Sequence, residues 1–237
     1  MIQAYFFDLD GTLVDTEILW VEAMELLARD HGYSLSRELA LHMVYGISWP
    51  GVYERFREHF PELGWTFDEM GAIIAPYFYR LRDSRDVRIH GSIDLLQRLA
   101  KDHLVAVVSG SYRADVEAGL AIAGVGPLVR FTLSHEDYDP GKPHPACYLA
   151  AAREAGLPPE QCVVFEDSNA GVCAAKDAGA YAVALARPDR PEQDYSRADL
   201  VLEDLSLFEP SMLNRYGERK GLKRLDGVDP VRPGDPS

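Results

Sequence analysis

The sequence has few cysteines and no long apolar run. Its 237 residues include only Cys147, Cys162 and Cys173, and no two of these have the spacing of metal ligands. The odd count argues against a disulfide-stapled secreted domain and indicates a reduced, cytoplasmic protein. No uninterrupted apolar segment is long enough to cross a bilayer. Residues 1–4 lack the basic and apolar regions of a signal peptide, so we expect none.

Basic residues are scarce relative to acidic ones. The chain has 24 Lys and Arg against 38 Asp and Glu, which gives a formal net charge of -14. Such a chain repels nucleic acid and anionic membranes, so we expect neither as a partner. A phosphorylated ligand would also be repelled at long range, and its site would need local positive groups or a metal. A monomer is the expected oligomeric state.

Short apolar strands alternate with helices over much of the chain. Strands are predicted at residues 2–7, 104–108, 131–133, 162–165, 181–185 and 200–202. Helices are predicted between them at residues 17–30, 92–100, 114–123, 145–155 and 169–178, with Thr16 as the N-cap of the first. This alternation predicts an α/β fold, in which a parallel sheet carries helices on both faces.

The region between the first and second strands has a different pattern. Helical periodicity without β-branched runs predicts three more helices, at residues 36–44, 50–59 and 67–81. We therefore expect an α/β core of residues 1–16 and 86–212, with an all-helical insert of residues 17–85. Residues 213–237 are rich in proline and glycine, which indicates a loosely ordered tail.

Two carboxylates follow the first strand directly, in the run Asp8-Leu9-Asp10-Gly11. Ligands of open α/β sheets bind beyond the carboxyl ends of the strands. A hard cation such as Mg²⁺ would relieve the repulsion between two neighbouring carboxylates. An aspartate can also act as a nucleophile that accepts a phosphoryl group. The alternative is a solvated acidic turn.

Three later strand ends carry polar residues of different kinds. Ser109-Gly110-Ser111 offers a hydroxyl and backbone N–H groups to an anion, although such a turn is also common without a ligand. Lys142 lies in a loop rich in proline, where it could neutralise phosphate or simply face solvent. Glu166 and Asp167 follow the strand at 162–165 and could supply further metal ligands or cap the next helix.

The four motifs occur in order, each after a strand, and together they resemble the haloacid dehalogenase superfamily over residues 2–208. The resemblance is to its phosphatase branch, which includes phosphoglycolate phosphatases and β-phosphoglucomutase-like proteins. It implies a Rossmann-like core and a small helical cap inserted after the first strand, here residues 17–85. The implied activity is Mg²⁺-dependent hydrolysis of a small phosphomonoester, such as a sugar phosphate, through a phosphoaspartate.

The resemblance also implies a role for each motif. Asp8 would be the nucleophile, and Asp10 would act as general acid and then general base. Ser109 and the backbone of Gly110 would hold phosphate oxygens, and Lys142 would screen the phosphate and orient the nucleophile.

Magnesium would be bound by the side chain of Asp8, the backbone carbonyl of Asp10, and Asp167. Glu166 would lie nearby as a direct ligand or as a support. The true dehalogenases lack the second acid, so Asp10 argues against carbon–halogen cleavage.

The sequence leaves three other functions open. A β-phosphoglucomutase-like mutase shares all four motifs, but that group has a histidine where this chain has Trp20. It also has an arginine where Trp49 follows Gly46-Ile47-Ser48. These differences favour hydrolysis. A non-catalytic binding module on the same fold would be expected to lack one of the motif residues, and none is missing. A phosphonate hydrolase would use a cap lysine, and residues 36–85 contain none.

Substrate specificity is expected to come from the cap. The candidate residues are Trp20, Tyr45, Ser48, Trp49 and Tyr53. The alternative for each aromatic residue is that it fills the core of the cap.

Overall fold

Six strands form one parallel sheet in the part of the protein that the computed structural model describes, residues 2–45, 47, 49–188 and 190–213. In chain order they are β1 (Ala4–Phe7), β2 (Leu104–Val108), β3 (Thr132–Leu133), β4 (Cys162–Glu166), β5 (Tyr181–Leu185) and β6 (Leu200–Leu202). Their order across the sheet is β3-β2-β1-β4-β5-β6. The predicted α/β fold with a parallel sheet is confirmed.

Helices cover both faces of the sheet. The core helices are α5 (His90–Leu99), α6 (Arg113–Ala123), α7 (Ala146–Ala155) and α8 (Asn169–Ala178), and the four before them are α1 (Glu17–Asp30), α2 (Arg37–Val44), α3 (Trp49–His59) and α4 (Phe67–Asp83). Successive residues of a strand face opposite sides. Tyr5 and Phe7 of β1 accordingly pack with α5 and α6, whereas Ala4 and Phe6 pack with α7 and α8.

Helices α1 to α4 bury a hydrophobic cluster of their own. It includes Leu19, Met24 and Leu27 of α1, which pack with Met43, Phe56 and Ile74 of the following helices. Within the described ranges, no helix combines the length and apolarity needed to cross a membrane. The assignment of residues 17–85 to a separate cap stays a prediction, and the predicted loose tail lies outside the described residues apart from Leu213.

The chain enters and leaves this helical unit through two adjacent connections. Val14 forms a β-bridge with Arg88, and the backbone N–H of Asp15 donates to the carbonyl of Val87 at 2.7 Å. The first connection leads directly from the end of β1, so the helical unit lies next to the carboxyl edge of the sheet.

Candidate active site

Asp8 follows β1 at the point where the strand order reverses. In the sheet β1 lies between β2 and β4, and Phe7 is level with both Val107 and Phe165. The residues that follow these three strands therefore meet at one edge. Ligands of open α/β sheets bind at such a reversal point. The topology brings the first, second and fourth sequence motifs together.

Lys142 reaches this edge from the loop before α7. Its Nζ atom lies 2.5 Å from Oδ1 of Asp8 and also donates to the carbonyl oxygen of Val108 at 3.2 Å. Burial lowers the pKa of Lys142, but the carboxylates of Asp8 and Glu166 outweigh this effect and raise it well above its usual range. The lysine is therefore a fixed positive charge beside Asp8.

Glu166 ends β4 and is completely buried. Its Oε1 atom accepts a hydrogen bond from Lys142 at 2.6 Å and another from the Tyr148 hydroxyl at 2.7 Å. Its Oε2 atom accepts from the Ser168 hydroxyl at 3.0 Å. Both carboxylate oxygens are thus occupied by protein donors, so Glu166 anchors Lys142 from behind.

Asp10 is held by three hydroxyl groups. Oδ2 accepts hydrogen bonds from Ser111 at 2.7 Å and from Ser109 at 3.3 Å, and Oδ1 accepts from Thr16. The predicted capping role of Thr16 is wrong in part. Helix α1 does begin at Glu17, but the Thr16 side chain makes no capping hydrogen bond because it is turned to Asp10.

Asp167 is buried beside Gly11. The glycine has a φ of 81°, and a β-carbon there would lie 2.0 Å from Oδ2 of Asp167. Thr12 donates to Oδ1 of Asp167 at 3.4 Å, and the Tyr195 hydroxyl donates to its backbone carbonyl. Because residue 11 has no side chain, the turn after β1 leaves room for the carboxylate of Asp167.

Asp8, Glu166 and Asp167 together form a buried acidic cluster. Each offers a carboxylate oxygen, and these oxygens lie within 4.8 Å of one another. Burial raises the pKa of Asp8 and of Asp167 well above their usual range, and the neighbouring carboxylates raise them further. A hard divalent cation prefers oxygen ligands and would offset this repulsion. The donor set fits such a cation.

The other predicted site residues lie in different surroundings. Gly110 is exposed next to Ser109. Trp20 stacks on Phe78 with a centroid distance of 3.9 Å and lies 4.9 Å from Trp49, so both tryptophans pack in the helical unit. Tyr45 lines a cavity that also includes Asp167.

Two further specificity candidates complete the set. The hydroxyl of Tyr53 donates to the carbonyl of Trp65 at 2.9 Å, which fixes it within the helical unit. Ser48 lies outside the described residues.

Sequence reasoning missed three residues that support the acidic groups. Tyr148 lies inside α7 and carries no motif signal, because only the packing of that helix brings it to Glu166. Ser111 lies three residues beyond β2, so its position near a strand end is a usable signal. Thr16 lies nine residues beyond β1 and carries no such signal.

Comparisons with known proteins identify the family of the chain. A family model described as "Hydrolase: haloacid dehalogenase-like hydrolase" matches residues 2–179. The chain is 30% identical over 208 residues to "Validoxylamine A 7'-phosphate phosphatase" of Streptomyces hygroscopicus subsp. limoneus, which covers 87% of this chain and 95% of that protein. It is 33% identical over 211 residues to "Hexitol phosphatase A" of Escherichia coli (strain K12), and this alignment covers 86% of this chain and 91% of that protein.

Solved structures share the fold. CbbY from Rhodobacter sphaeroides in complex with phosphate has a TM-score of 0.75 and 24% identity, covering 90% of this chain and 100% of that one. β-Phosphoglucomutase from Clostridium difficile has a TM-score of 0.74 and 23% identity, and the match covers 94% of this chain and 100% of that one. At this identity the likeness describes the architecture alone.

Proposed function

The chain belongs to the haloacid dehalogenase-like hydrolase family, and from this premise we propose that it is a Mg²⁺-dependent phosphatase of a small phosphorylated metabolite. One observation carries the proposal. The ammonium group of Lys142 lies 2.5 Å from the carboxylate of Asp8 at the reversal point of the sheet, and Asp10 is fixed nearby by hydroxyl groups. Phosphoryl transfer depends mainly on such positioning and charge neutralisation.

In the first step a carboxylate oxygen of Asp8 attacks phosphorus. The bond between phosphorus and the ester oxygen of the substrate breaks, and Asp10 gives its proton to the departing alkoxide. The product alcohol leaves, and Asp8 carries the phosphoryl group. Lys142 lowers the pKa of Asp8 against the effect of burial and orients the carboxylate, and a bound cation would further favour its ionised form.

In the second step Asp10 accepts a proton from water while the water oxygen attacks phosphorus. The bond between phosphorus and Asp8 breaks, inorganic phosphate forms, and the Asp8 carboxylate is restored. The Ser109 hydroxyl and the backbone N–H of Gly110 would hold phosphate oxygens through both steps. The hydrogen bonds from Ser111 and Thr16 would keep Asp10 aligned while the Ser109 hydroxyl turns to the phosphate.

Asp8, Asp167 and the backbone carbonyl of Asp10 would hold Mg²⁺, which when bound offsets the negative charge of the phosphate oxygens. Glu166 would support the site rather than ligate directly, because both of its oxygens already accept hydrogen bonds from protein donors. Residues 17–85 would act as a cap that closes over residues 1–16 and 86–212 about the paired connections at Val14 and Arg88.

The substrate would be a sugar phosphate or a related phosphomonoester. The names of two relatives, a validoxylamine phosphate phosphatase and a hexitol phosphatase, support this class. A phosphosugar mutase would instead yield an isomeric phosphate. The large stacked side chain of Trp20 has no titratable group, which favours hydrolysis.

The test is release of inorganic phosphate from a panel of phosphorylated metabolites, with and without Mg²⁺. We expect turnover that requires Mg²⁺, stops in excess chelator, and is abolished by Asp8→Asn. Asp177→Asn is a suitable control, because Asp177 forms an exposed ion pair with Arg197. Full turnover in chelator, or an isomeric phosphate as the product, would overturn the proposal.

A further inference from the structure

The three residues that follow β2 differ in what their backbone N–H groups contact. The N–H of Ser109 donates to the carbonyl of Leu133 at 2.9 Å, and the N–H of Ser111 donates to the Ser109 hydroxyl at 3.0 Å. Between them, the N–H of Gly110 donates to no acceptor among the described residues. Gly110 is exposed, so this donor is open to a ligand.

The carbonyl groups of this turn are held by the loop that carries Lys142. The Tyr138 hydroxyl donates to the carbonyl of Ser109 at 2.7 Å, and Nζ of Lys142 donates to the carbonyl of Val108 at 3.2 Å. The Tyr138 ring packs against the hydrophobic cluster beneath α7 and α8, which fixes the reach of its hydroxyl. Burial raises the pKa of Tyr138 above its usual range, and the opposing effect of Lys142 is smaller, so the phenol stays a neutral donor.

A single peptide unit connects the Tyr138 hydroxyl to the open N–H of Gly110. The peptide bond between Ser109 and Gly110 is trans, so its carbonyl and its N–H lie on opposite sides of the chain. A donor that holds the carbonyl therefore also fixes the direction of the N–H. The same donor draws electron density away from the peptide nitrogen and strengthens the N–H as a donor, because hydrogen bonds in a chain polarise one another.

We propose that Tyr138 is a positioning residue for phosphate binding, because its hydroxyl orients and polarises, through the Ser109 carbonyl, the N–H of Gly110 that binds a phosphate oxygen. The proposal rests on the proposed phosphatase function, which assigns Gly110 to the phosphate, and adds the residue that sets this donor. Tyr138 and Lys142 then act on the same phosphate from one loop. Lys142 acts through its charge, whereas Tyr138 acts through a peptide unit and touches no phosphate oxygen itself.

The amide of Gly110 can be observed directly by NMR in protein labelled with ¹⁵N-glycine. Its resonance is identified with Gly110→Ala, since a β-carbon there would meet nothing closer than 4.0 Å. The wild type is compared with Tyr138→Phe and with Tyr77→Phe. Tyr77 is the matched control, because its hydroxyl also donates a hydrogen bond, to Asp30 within the helical unit. We expect Tyr138→Phe to move the ¹⁵N resonance of Gly110 upfield, because the preceding carbonyl loses its donor, and Tyr77→Phe to leave it in place.

Phosphate binding provides the second measurement. Inorganic phosphate is titrated into the same three proteins with Mg²⁺ present, by calorimetry and by following the Gly110 resonance. We expect Tyr138→Phe to weaken phosphate binding about tenfold, the lower end of the loss when a supporting hydrogen bond behind a ligand group is removed at metal sites. Tyr77→Phe should leave the affinity unchanged. A purely structural role of Tyr138 would lower stability but leave both the Gly110 resonance and the affinity of the folded protein as they are.

The outcomes separate the positioning role from the proposed activity. A Gly110 resonance that is the same in Tyr138→Phe and the wild type, or equal phosphate affinities of Tyr138→Phe and Tyr77→Phe, would overturn the proposal. A Gly110 resonance that does not respond to phosphate in the wild type would overturn it as well, because Gly110 would then not bind phosphate. Phosphate binding that depends on Tyr138, without phosphate release from any substrate, would support the positioning role and contradict the phosphatase function.

Discussion

Glu166 occupies the space in which residue 171 would carry a side chain. A β-carbon on Gly171 would lie 1.8 Å from Oε1 of Glu166 and 2.2 Å from Oε2. Gly171 lies in the first turn of α8, which therefore packs its bare backbone against the buried carboxylate. The absence of a side chain at residue 171 is a condition for the position of Glu166.

Substitution of Gly171 by alanine should displace this carboxylate. We expect a loss of about 1–3 kcal/mol in the free energy of unfolding, from overpacking, together with a loss of phosphatase activity. Gly71→Ala is the control, because Gly71 also lies in a helix but a β-carbon there would meet nothing closer than 3.9 Å. That change should be neutral or stabilise the protein by about 0.5–1 kcal/mol. Urea unfolding measures both, and equal stability of the two variants would contradict the packing argument.

Lys142 is expected to act in catalysis as well as in the buried ion pairs with Asp8 and Glu166. Lys142→Met should lower kcat about 10²–10³-fold, the usual effect of removing one donor that stabilises the transferred charge. The control is Lys176→Met, because Lys176 is also mostly buried and lies 2.5 Å from a carboxylate oxygen of Asp199. We expect Lys176→Met to lower the melting temperature and to leave kcat of the folded protein close to that of the wild type. Parallel losses of kcat in both variants would make the role of Lys142 structural.

The Tyr148 hydroxyl is expected to position the pair formed by Glu166 and Lys142. The Tyr148→Phe variant keeps the ring, which lies 5.3 Å below Nζ of Lys142, and removes one of the donors to Glu166. We expect kcat to fall about tenfold while KM stays within about twofold, because Tyr148 is buried and its hydroxyl donates to Glu166. A change confined to KM would instead place the hydroxyl in contact with the substrate. Steady-state kinetics with any turned-over phosphomonoester separates these outcomes.

The strand ends could be predicted from the sequence because one rule governs them. Parallel strands bring their carboxyl ends to the same edge, so Asp8, Ser109 and Asp167 could be grouped from their positions alone. Several element bounds also agree, such as those of β2, α8 and β5. Others differ by a few residues, since β1 begins at Ala4 and α4 continues to Asp83.

The supporting residues could not be predicted in the same way. Tyr148 reaches Glu166 only because α7 packs on one face of the sheet with that side of the helix inward. Arg187 and Arg190 meet Asp15 across more than 170 positions of the chain. Such contacts depend on the path of loops and the rotation of helices, and the local pattern of residue types carries no record of either.

Asp15 lies in the connection after β1 and pairs with two arginines of the chain after β5. Its side chain is 18% exposed and accepts hydrogen bonds from Arg187 and Arg190. Burial raises the pKa of Asp15, but the two guanidinium groups outweigh this effect and hold it below its usual range. A carboxylate with a lowered pKa in the folded state stabilises the protein above the pKa of the unfolded chain, about 3.9, and loses this contribution as the pH falls through the folded value.

The stabilising effect of Asp15 should therefore depend on pH. At pH 6.5 we expect Asp15→Asn to lower the free energy of unfolding by about 1–2 kcal/mol, between the values for exposed and fully buried ion pairs. At pH 3.5 the difference from the wild type should be smaller, because Asp15 is then mostly protonated in the unfolded wild type, which stabilises the unfolded state, while the folded protein still favours the carboxylate. Asp177→Asn removes an exposed pair and should leave stability close to that of the wild type at both values. Urea unfolding at the two pH values measures the three proteins. A difference for Asp15→Asn that stays constant or grows on acidification would show that the arginines do not lower the pKa of this carboxylate.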